Sequence, residues 1–188
     1  MQIKKLPLKG SYLLEPKIYF DERGYFFENF NNKKLMKITN GKKFIQGNHS
    51  YSNKNILRGI HFQFKNPQYQ IFYLVKGELD IYLIDFRPNS KTFLKNVFLN
   101  LNFKKNQQIL TPPGVGCGFL TKSNENIVIY FVSEFYNPKN EIGVKWNDEL
   151  LNLKWNCSKP IISNKDKLNN KLSDIKFEKF KDLNNIKI

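Results

Sequence analysis

The chain has 188 residues, of which 40% are hydrophobic and 15% aromatic, and its formal net charge is +15. This apolar content excludes a disordered chain, and the length suits a single domain over residues 1–188. No stretch approaches the roughly 20 apolar residues that span a bilayer, and the N-terminus lacks the apolar run of a signal peptide. Two cysteines, Cys117 and Cys157, are too few for a disulfide framework, so we expect a cytoplasmic protein.

The basic charge raises the question of a nucleic-acid partner. The lysines are scattered along the chain, however, and no zinc-finger spacing, basic zipper or aromatic-basic RNA-binding motif accompanies them. The sequence is also rich in Asn, Ile and Phe, a composition that AT-rich codon usage produces. We therefore expect neither nucleic acid nor a membrane as a partner, although a diphosphate ligand would be attracted by the field in either case.

Short strand-like segments separated by turn residues dominate the first half of the chain. Residues 24–30 follow the turn signal Asp21-Glu22-Arg23, and residues 44–50 and 56–62 flank a polar turn. Residues 70–75 are apolar and run into Lys76-Gly77-Glu78, which predicts a hairpin turn. This spacing of strands and turns is typical of a sandwich or a barrel.

The second half continues the same pattern. Val97, Leu99 and Leu101 alternate with Asn100 and Asn102, which predicts a strand with one buried face. Residues 127–132 are continuously apolar, which predicts a strand buried on both faces. Helical signals are confined to residues 31–37 and 163–171, and we expect the charged tail beyond about residue 173 to form a peripheral helix or to be poorly ordered. The predicted fold class is all-β, a cupin-type double-sheet jelly roll with a few short peripheral helices.

Six segments stand out in order along the chain: residues 21–28, 44–52 with 56–63, 76–80 with 84–87, 113–119, 130–148 and 160–166. They include stretches such as Arg58-Gly59-Ile60-His61 and Ser163-Asn164-Lys165-Asp166. Together they resemble the signature stretches of the dTDP-4-dehydrorhamnose 3,5-epimerase family. The resemblance implies an enzyme that epimerises C3, C5 or both in a 4-keto-6-deoxy sugar linked to a nucleoside diphosphate, either dTDP or GDP. It implies no cofactor and a place in bacterial surface-polysaccharide synthesis, such as that of lipopolysaccharide or capsule.

Epimerisation next to a ketone needs a base, a proton donor on the opposite face and stabilisation of the enolate oxygen. His61 is the natural base, because an unperturbed histidine exchanges protons near neutral pH. The resemblance places Asp166 on the other ring nitrogen of His61 and makes Tyr130 the opposing donor. The alternative for His61 is a histidine satisfied in the core or on a strand edge, and for Tyr130 an ordinary core tyrosine with its hydroxyl paired. Because the chain has only two histidines, we favour catalysis for His61. The other histidine, His49, we expect to be structural.

Substrate contacts are predicted along two strands. Gln46, Asn48 and Ser50 share one strand face by period two, a polar line that an ordinary core strand would avoid. Arg58 is the residue that the family uses to hold the diphosphate, a task that suits the bidentate guanidinium.

The resemblance also implies a homodimer with shared active sites. Arg23, Phe26 and Glu28 are similar to family residues that reach the nucleotide from the partner subunit. Tyr136 resembles a further contact on the nucleotide side. This prediction of shared sites rests on analogy.

Two positions depart from the family pattern. Gln70 stands where the family usually has a lysine close to the substrate carbonyl, and Cys117 stands where it has a histidine. A glutamine can still donate a hydrogen bond to the enolate, but a neutral one, about half as strong as a charged one. Cys117 is interpreted as a packing residue in preference to a reactive thiol.

Other functions remain open to different degrees. A metal-dependent cupin needs several histidines with a carboxylate, and two histidines twelve residues apart do not supply that cluster, so we expect no metal site. A 3,4-ketoisomerase acting on a similar nucleotide sugar and a non-catalytic sugar-nucleotide binder are the alternatives. Nucleophilic catalysis has no motif to support it.

Overall fold

The computed structural model describes residues 1–184 and residue 186. The predictions for the tail therefore cannot be followed at residues 185, 187 and 188, which lie outside the described residues. The strands in chain order are β1 (Gln2–Lys5), β2 (Tyr12–Glu15), β3 (Tyr19–Asp21), β4 (Gly24–Phe26), β5 (Gln46–Ser52), β6 (Leu57–Gln63), β7 (Gln70–Lys76), β8 (Glu78–Asp85), β9 (Asn96–Asn102), β10 (Gln108–Thr111), β11 (Val115–Thr121), β12 (Asn126–Val132) and β13 (Glu141–Gly143).

Two antiparallel sheets face each other, and a small ribbon stands apart from them. The first sheet has the order β1-β2-β10-β7-β12-β5, and the second has the order β13-β6-β11-β8-β9. Strands β3 and β4 form the two-stranded ribbon. Neighbours in the sheets are often distant in sequence, as in the pairing of β12 with β5 and of β11 with β6, which gives the jelly-roll connectivity. The predicted all-β, double-sheet fold is confirmed.

The main core lies between the two sheets. Leu79, Ile81 and Leu83 of β8 belong to this core, together with Phe72 and Leu74 of β7. The residues between them on β8 are buried as well, because Tyr82 and Ile84 belong to a separate cluster on the outer face of the second sheet. Burial of each such side chain stabilises the fold by about 1.5–3 kcal/mol. The alternation along each strand means that every other side chain points into this core, whereas its neighbours face outwards.

Strand β12 differs from its prediction. Val128 and Val132 are buried, but Ile127, Ile129 and Phe131 on the other face are only partly covered. The prediction of burial on both faces is therefore wrong. Over strands β2, β10 and β7 the outer face of this sheet is covered by a second buried cluster, to which Leu35 of α1 and Phe44 contribute. At β12 the cover is thinner, and Phe131 packs at the edge of the cluster with its ring centroid 4.8 Å from that of Phe30.

The helices are short, as predicted. They are α1 (Asn32–Leu35), α2 (Asn164–Lys167) and α3 (Lys181–Asn184), with 3-10 turns at Phe103–Lys105, Pro138–Asn140, Leu172–Asp174 and Phe177–Lys179. Within the described residues, no helix has the length and apolar character needed to cross a membrane. Phe180 and Leu183 of the tail are buried against the outer face of the second sheet, beside Phe62 of β6.

Candidate active site

A cavity of about 340 Å³ opens between the two sheets. Strands β5, β7 and β12 of the first sheet supply one wall, and β6, β11 and β13 of the second sheet supply the other. Helix α2 closes one side with Ser163, Lys165 and Asp166. The size is that of a site for a small molecule.

Most of the residues predicted from the sequence meet in this cavity. Those that line it are His61, Tyr130, Asp166, Gln46, Asn48, Arg58, Gln70, Cys117 and Tyr136. The exceptions are the three residues assigned to the partner subunit, Arg23, Phe26 and Glu28. The polar residue Ser50, which continues the line of Gln46 and Asn48 on β5, also lines the cavity.

His61 and Asp166 form a direct hydrogen bond. The His61 Nε2 and Asp166 Oδ1 atoms are 2.6 Å apart, and the Asp166 side chain is almost fully buried. Burial by itself raises the pKa of Asp166, but the hydrogen bond and charge of His61, with further bonds from Ser163 and the Gly59 backbone, bring that pKa below its usual value. Because an ionised carboxylate only accepts hydrogen bonds, Nε2 carries the hydrogen and Nδ1 is left as the basic nitrogen.

The segment that carries Asp166 is attached to the beginning of the strand that carries His61. The backbone N–H of Leu57 donates to the carbonyl of Ile161 at 2.9 Å, and that of Ile161 donates to the carbonyl of Asn55 at 2.8 Å. Helix α2 then begins at its N-cap Ser163, whose hydroxyl accepts from the Asp166 backbone N–H. These bonds set the distance between a base and a carboxylate that are 105 residues apart in sequence.

Gly59 explains how Arg58 and His61 reach the same cavity although they are three residues apart on one strand. The register between β6 and β11 shifts at this point, and Gly59 adopts a φ of +104°. A Cβ atom at Gly59 would lie 2.5 Å from the carbonyl oxygen of Cys117, so no other residue fits without movement of the backbone. The irregularity changes the alternation of side chains along β6.

Tyr130 faces His61 from the opposite sheet. It lies on β12, and its ring stacks on that of Phe72 with centroids 5.7 Å apart. Burial raises the pKa of Tyr130, and Glu141 adds to the rise, while Arg58 opposes it. The phenol is therefore protonated at neutral pH and can donate a proton.

Two cationic side chains enter the cavity. Arg58 donates from Nε to the hydroxyl of Ser52 at 3.0 Å and from Nη2 to the carbonyl of Tyr51 at 3.2 Å, which holds the guanidinium beside β5. Lys165 forms an ion pair with Glu141 and donates to the hydroxyl of Tyr136 at 3.2 Å. Burial alone lowers the pKa of Lys165, but the bonds to Glu141 and Tyr136 raise it above its usual value.

Lys165 and Glu141 were missed as site residues in the sequence. Lys165 directly precedes Asp166 in a segment of the family resemblance, which was a signal that could have been used. Glu141 offers no such signal, because it lies on β13, a three-residue strand that pairs with β6 only in the tertiary structure.

The two departures from the family pattern both lie in the cavity wall. Cys117 is paired in register with His61 across β11 and β6, and burial raises the pKa of its thiol, which therefore stays neutral. Gln70 lies half-buried at the beginning of β7. His49, by contrast, is exposed on the other face of β5 and does not line the cavity.

The three residues expected to reach the partner's site lie in the β3–β4 ribbon or just after it. Arg23 makes a two-pronged hydrogen bond with Asp21, and Glu28 accepts from Lys34 at 2.5 Å. Phe26 is 70% exposed. None of the three contributes to the cavity of its own chain.

The part of the chain that the structure describes contains no set of side chains arranged to bind a metal ion. No group of three or more His, Cys, Asp or Glu side chains there is close enough to hold an ion.

Comparisons with known proteins agree with this arrangement. The model of the family described as dTDP-4-dehydrorhamnose 3,5-epimerase matches residues 5–174. The dTDP-4-dehydrorhamnose 3,5-epimerase of Shigella flexneri is 36% identical over 88% of this chain and 93% of its own length.

Solved structures show the same likeness. The dTDP-4-dehydrorhamnose 3,5-epimerase of Elizabethkingia anophelis superimposes with a TM-score of 0.86 at 35% identity, covering 93% of this chain and 97% of its own. The dTDP-6-deoxy-D-glucose-3,5-epimerase of Legionella pneumophila, solved in complex with dTDP-4-keto-L-rhamnose, gives a TM-score of 0.89 at 30% identity, covering 94% of this chain and 95% of its own.

Proposed function

Because the chain belongs to the dTDP-4-dehydrorhamnose 3,5-epimerase family, we propose that it epimerises a 4-keto-6-deoxy sugar linked to a nucleoside diphosphate. The inverted centre is C3, C5 or both, and the nucleotide is dTDP or GDP. The reaction belongs to the synthesis of deoxy sugars for surface polysaccharides. No cofactor takes part, because the carbon next to a ketone is acidic enough for side-chain bases.

One observation carries this proposal: His61 and Tyr130 enter the same cavity from opposite sheets. Inversion requires that one group removes a proton from one face of the sugar and another returns a proton to the opposite face. A base with its carboxylate on one wall and a protonated phenol on the other satisfy that requirement.

The reaction then follows from the protonation states. His61 Nδ1 takes the proton on the carbon next to the ketone, and the electron pair of the C–H bond moves into the enolate. The Asp166 carboxylate stabilises the imidazolium that forms, through its bond to Nε2. Tyr130 donates its proton to the opposite face of the carbon. Solvent then reprotonates Tyr130 and takes the abstracted proton from His61, so that both side chains return to their starting states.

Arg58 and Lys165 neutralise negative charge in this scheme. A diphosphate carries charge that suits the guanidinium of Arg58, two of whose nitrogens are already held by Ser52 and Tyr51. Lys165 is paired with Glu141, and part of its field reaches the cavity that both residues line. With Gln70 and Cys117 neutral, these two cations are the ones that line the cavity among the described residues.

We further propose a homodimer in which Arg23, Phe26 and Glu28 complete the partner's site. The β3–β4 ribbon carries an exposed aromatic surface, with Phe20 77%, Phe26 70% and Tyr25 57% exposed. Aromatic side chains of this kind are typical of protein interfaces. We place the protein in the cytoplasm, where its two free thiols, Cys117 and Cys157, would stay reduced.

The test is deuterium exchange in D₂O, followed by NMR at C3 and C5 of dTDP- and GDP-linked 4-keto-6-deoxy sugars. We expect deuterium at one or both carbons, and a fall of roughly 10²- to 10⁴-fold in its rate in His61→Ala. His49→Ala is the matched control, since the chain's other histidine is exposed outside the cavity, and it should leave the rate unchanged.

The same experiment distinguishes the alternatives. Movement of the carbonyl from C4 to C3 would indicate a 3,4-ketoisomerase. Nucleotide binding without exchange at any carbon would indicate a non-catalytic binder and overturn the epimerase proposal.

A further inference from the structure

Two glutamine side chains in the cavity wall form a chain of hydrogen bonds, referred to below as a relay. Gln70 is the first residue of β7, and Gln68 lies just before that strand. Gln68 Nε2 donates to the backbone carbonyl of Glu134 at 2.8 Å. Gln70 Nε2 in turn donates to Gln68 Oε1 at 3.1 Å. Both glutamines line the cavity.

The direction of this relay follows from its fixed end. A backbone carbonyl can only accept a hydrogen bond, so the Gln68 atom beside Glu134 must be the nitrogen. The Gln68 oxygen therefore points to Gln70, and the Gln70 atom that meets it must again be a nitrogen. The backbone at the fixed end is itself held, because Ser133 N–H donates to the carbonyl of Tyr69 at 3.0 Å and the Ser133 hydroxyl accepts from Tyr69 N–H at 2.9 Å.

A second relay on β5 has the opposite polarity. The backbone N–H of Tyr136 donates to Gln46 Oε1 at 3.0 Å, and Gln46 Nε2 donates to Asn48 Oδ1 at 2.9 Å. Because this relay begins at a backbone donor, it leaves the Asn48 amide nitrogen as the free end. The relay on β7 begins at a backbone acceptor and leaves the Gln70 carbonyl oxygen as its free end.

We propose that Gln70 is a specificity-determining residue whose carbonyl oxygen accepts a hydrogen bond from a hydroxyl or other donor on the sugar. Among the described residues, no protein donor reaches Gln70 Oε1, so its acceptor capacity remains for a ligand. The inference rests on the proposed function, because it takes the ligand to be a nucleotide sugar.

This role is the reverse of the one expected from the sequence. The family resemblance places a lysine here, which is a donor only and suits a ketone or enolate oxygen. In this chain one N–H of Gln70 is used by Gln68, and the oxygen is directed away from it. Gln70 keeps a second N–H as well as this oxygen, and we assign the oxygen to a donor of the substrate.

The test compares the affinity for dTDP with that for dTDP-6-deoxyglucose, which has no ketone and cannot react, by calorimetry. The corresponding GDP pair is used if the protein binds GDP in preference. The dissociation constant of dTDP divided by that of dTDP-6-deoxyglucose measures how much the sugar adds to the affinity, because the nucleotide contributes to both constants. We expect Gln70→Met to reduce this ratio by about 3- to 10-fold, the value of one neutral hydrogen bond, with the affinity for the nucleotide alone unchanged.

Gln70→Lys separates acceptor from donor. If the oxygen is the recognising atom, the lysine variant loses the sugar contribution as the methionine variant does. Gln107→Met is the matched control, because Gln107 donates to Glu15 at 2.8 Å and does not line the cavity, so its ratio should stay at the wild-type value.

The remaining outcomes overturn the acceptor role of Gln70, the proposed function or both. An unchanged ratio in Gln70→Met, or a wild-type or higher ratio in Gln70→Lys, would overturn the acceptor role while leaving the epimerase proposal intact. Binding of neither nucleotide would overturn the proposed function and this inference with it. If the binding ratios are as expected but the wild type shows no deuterium exchange, only the epimerase reaction is overturned.

Discussion

Asp85 and Asp166 are both buried carboxylates with a depressed pKa, but their surroundings differ. Asp85 accepts five hydrogen bonds, from the backbone and guanidinium of Arg87 and from the hydroxyls of Ser90 and Thr92. Asp166 has His61 as its main partner. The Arg87 side chain is 6% exposed, whereas that of His61 is 27% exposed and opens onto the cavity.

This is the difference expected between a carboxylate that holds the fold and one that serves the proposed reaction. Around Asp85 every oxygen is saturated by groups that do not meet the cavity, so the charge can only contribute to stability. Asp166 is hydrogen-bonded to Nε2 of the His61 ring, and the other ring nitrogen, Nδ1, remains available to a ligand. Burial and a shifted pKa are common to both, and it is the accessibility of the partner that indicates function.

The largest effect that the comparison predicts is on catalysis. Asp166→Asn should slow deuterium exchange into a 4-keto sugar by roughly 10²- to 10⁴-fold, because the amide no longer stabilises the imidazolium or fixes its tautomer. NMR of the exchange reaction measures the rate. The same substitution at Asp85 is the control, and a comparable loss of rate per folded molecule there would contradict the distinction.

The next effect is on stability. Asp85→Asn should lower the free energy of unfolding by about 3 kcal/mol, because it leaves the Arg87 guanidinium buried without its counter-charge. Urea denaturation followed by circular dichroism measures it. Asp166→Asn should lower the free energy of unfolding by less than Asp85→Asn does. An equal or larger decrease would show that Asp166 also serves mainly to hold the fold.

The smallest effect concerns pH. Burial raises the pKa of Asp85, but the bonds from Arg87, Ser90 and Thr92 outweigh it and bring the pKa below its usual 3.8. Below pH 3.8 the unfolded chain therefore binds more protons than the folded one, and stability falls as the pH falls through the lower folded value.

Urea denaturation between pH 6 and pH 2.5 follows this loss. The wild-type curve should fall more steeply than that of Asp85→Asn, because the variant has no carboxylate to protonate at this position. Parallel curves for the two proteins would show that Asp85 makes no such contribution.

Period-two alternation was a sound guide where one face of a strand is buried. Val97, Leu99 and Leu101 of β9 face the core as their spacing predicts. Composition misled at β12, because a run of apolar residues does not reveal that its outer face is partly open. Composition also gave no sign that the tail packs on the second sheet, because Phe180 and Leu183, which are buried there, lie among charged residues.

Residue types and their order along the chain were enough to predict the two-sheet fold, the family and most residues of the cavity wall. That information is local or comes from the resemblance of short segments. The tertiary structure alone decided that Glu141 and Lys165 meet, that Arg58 and His61 line one cavity on either side of Gly59, and which atom of Gln70 bonds Gln68. Each of these depends on hydrogen bonds or close contacts between distant segments, and a carboxamide has no preferred direction until such a partner holds one of its ends.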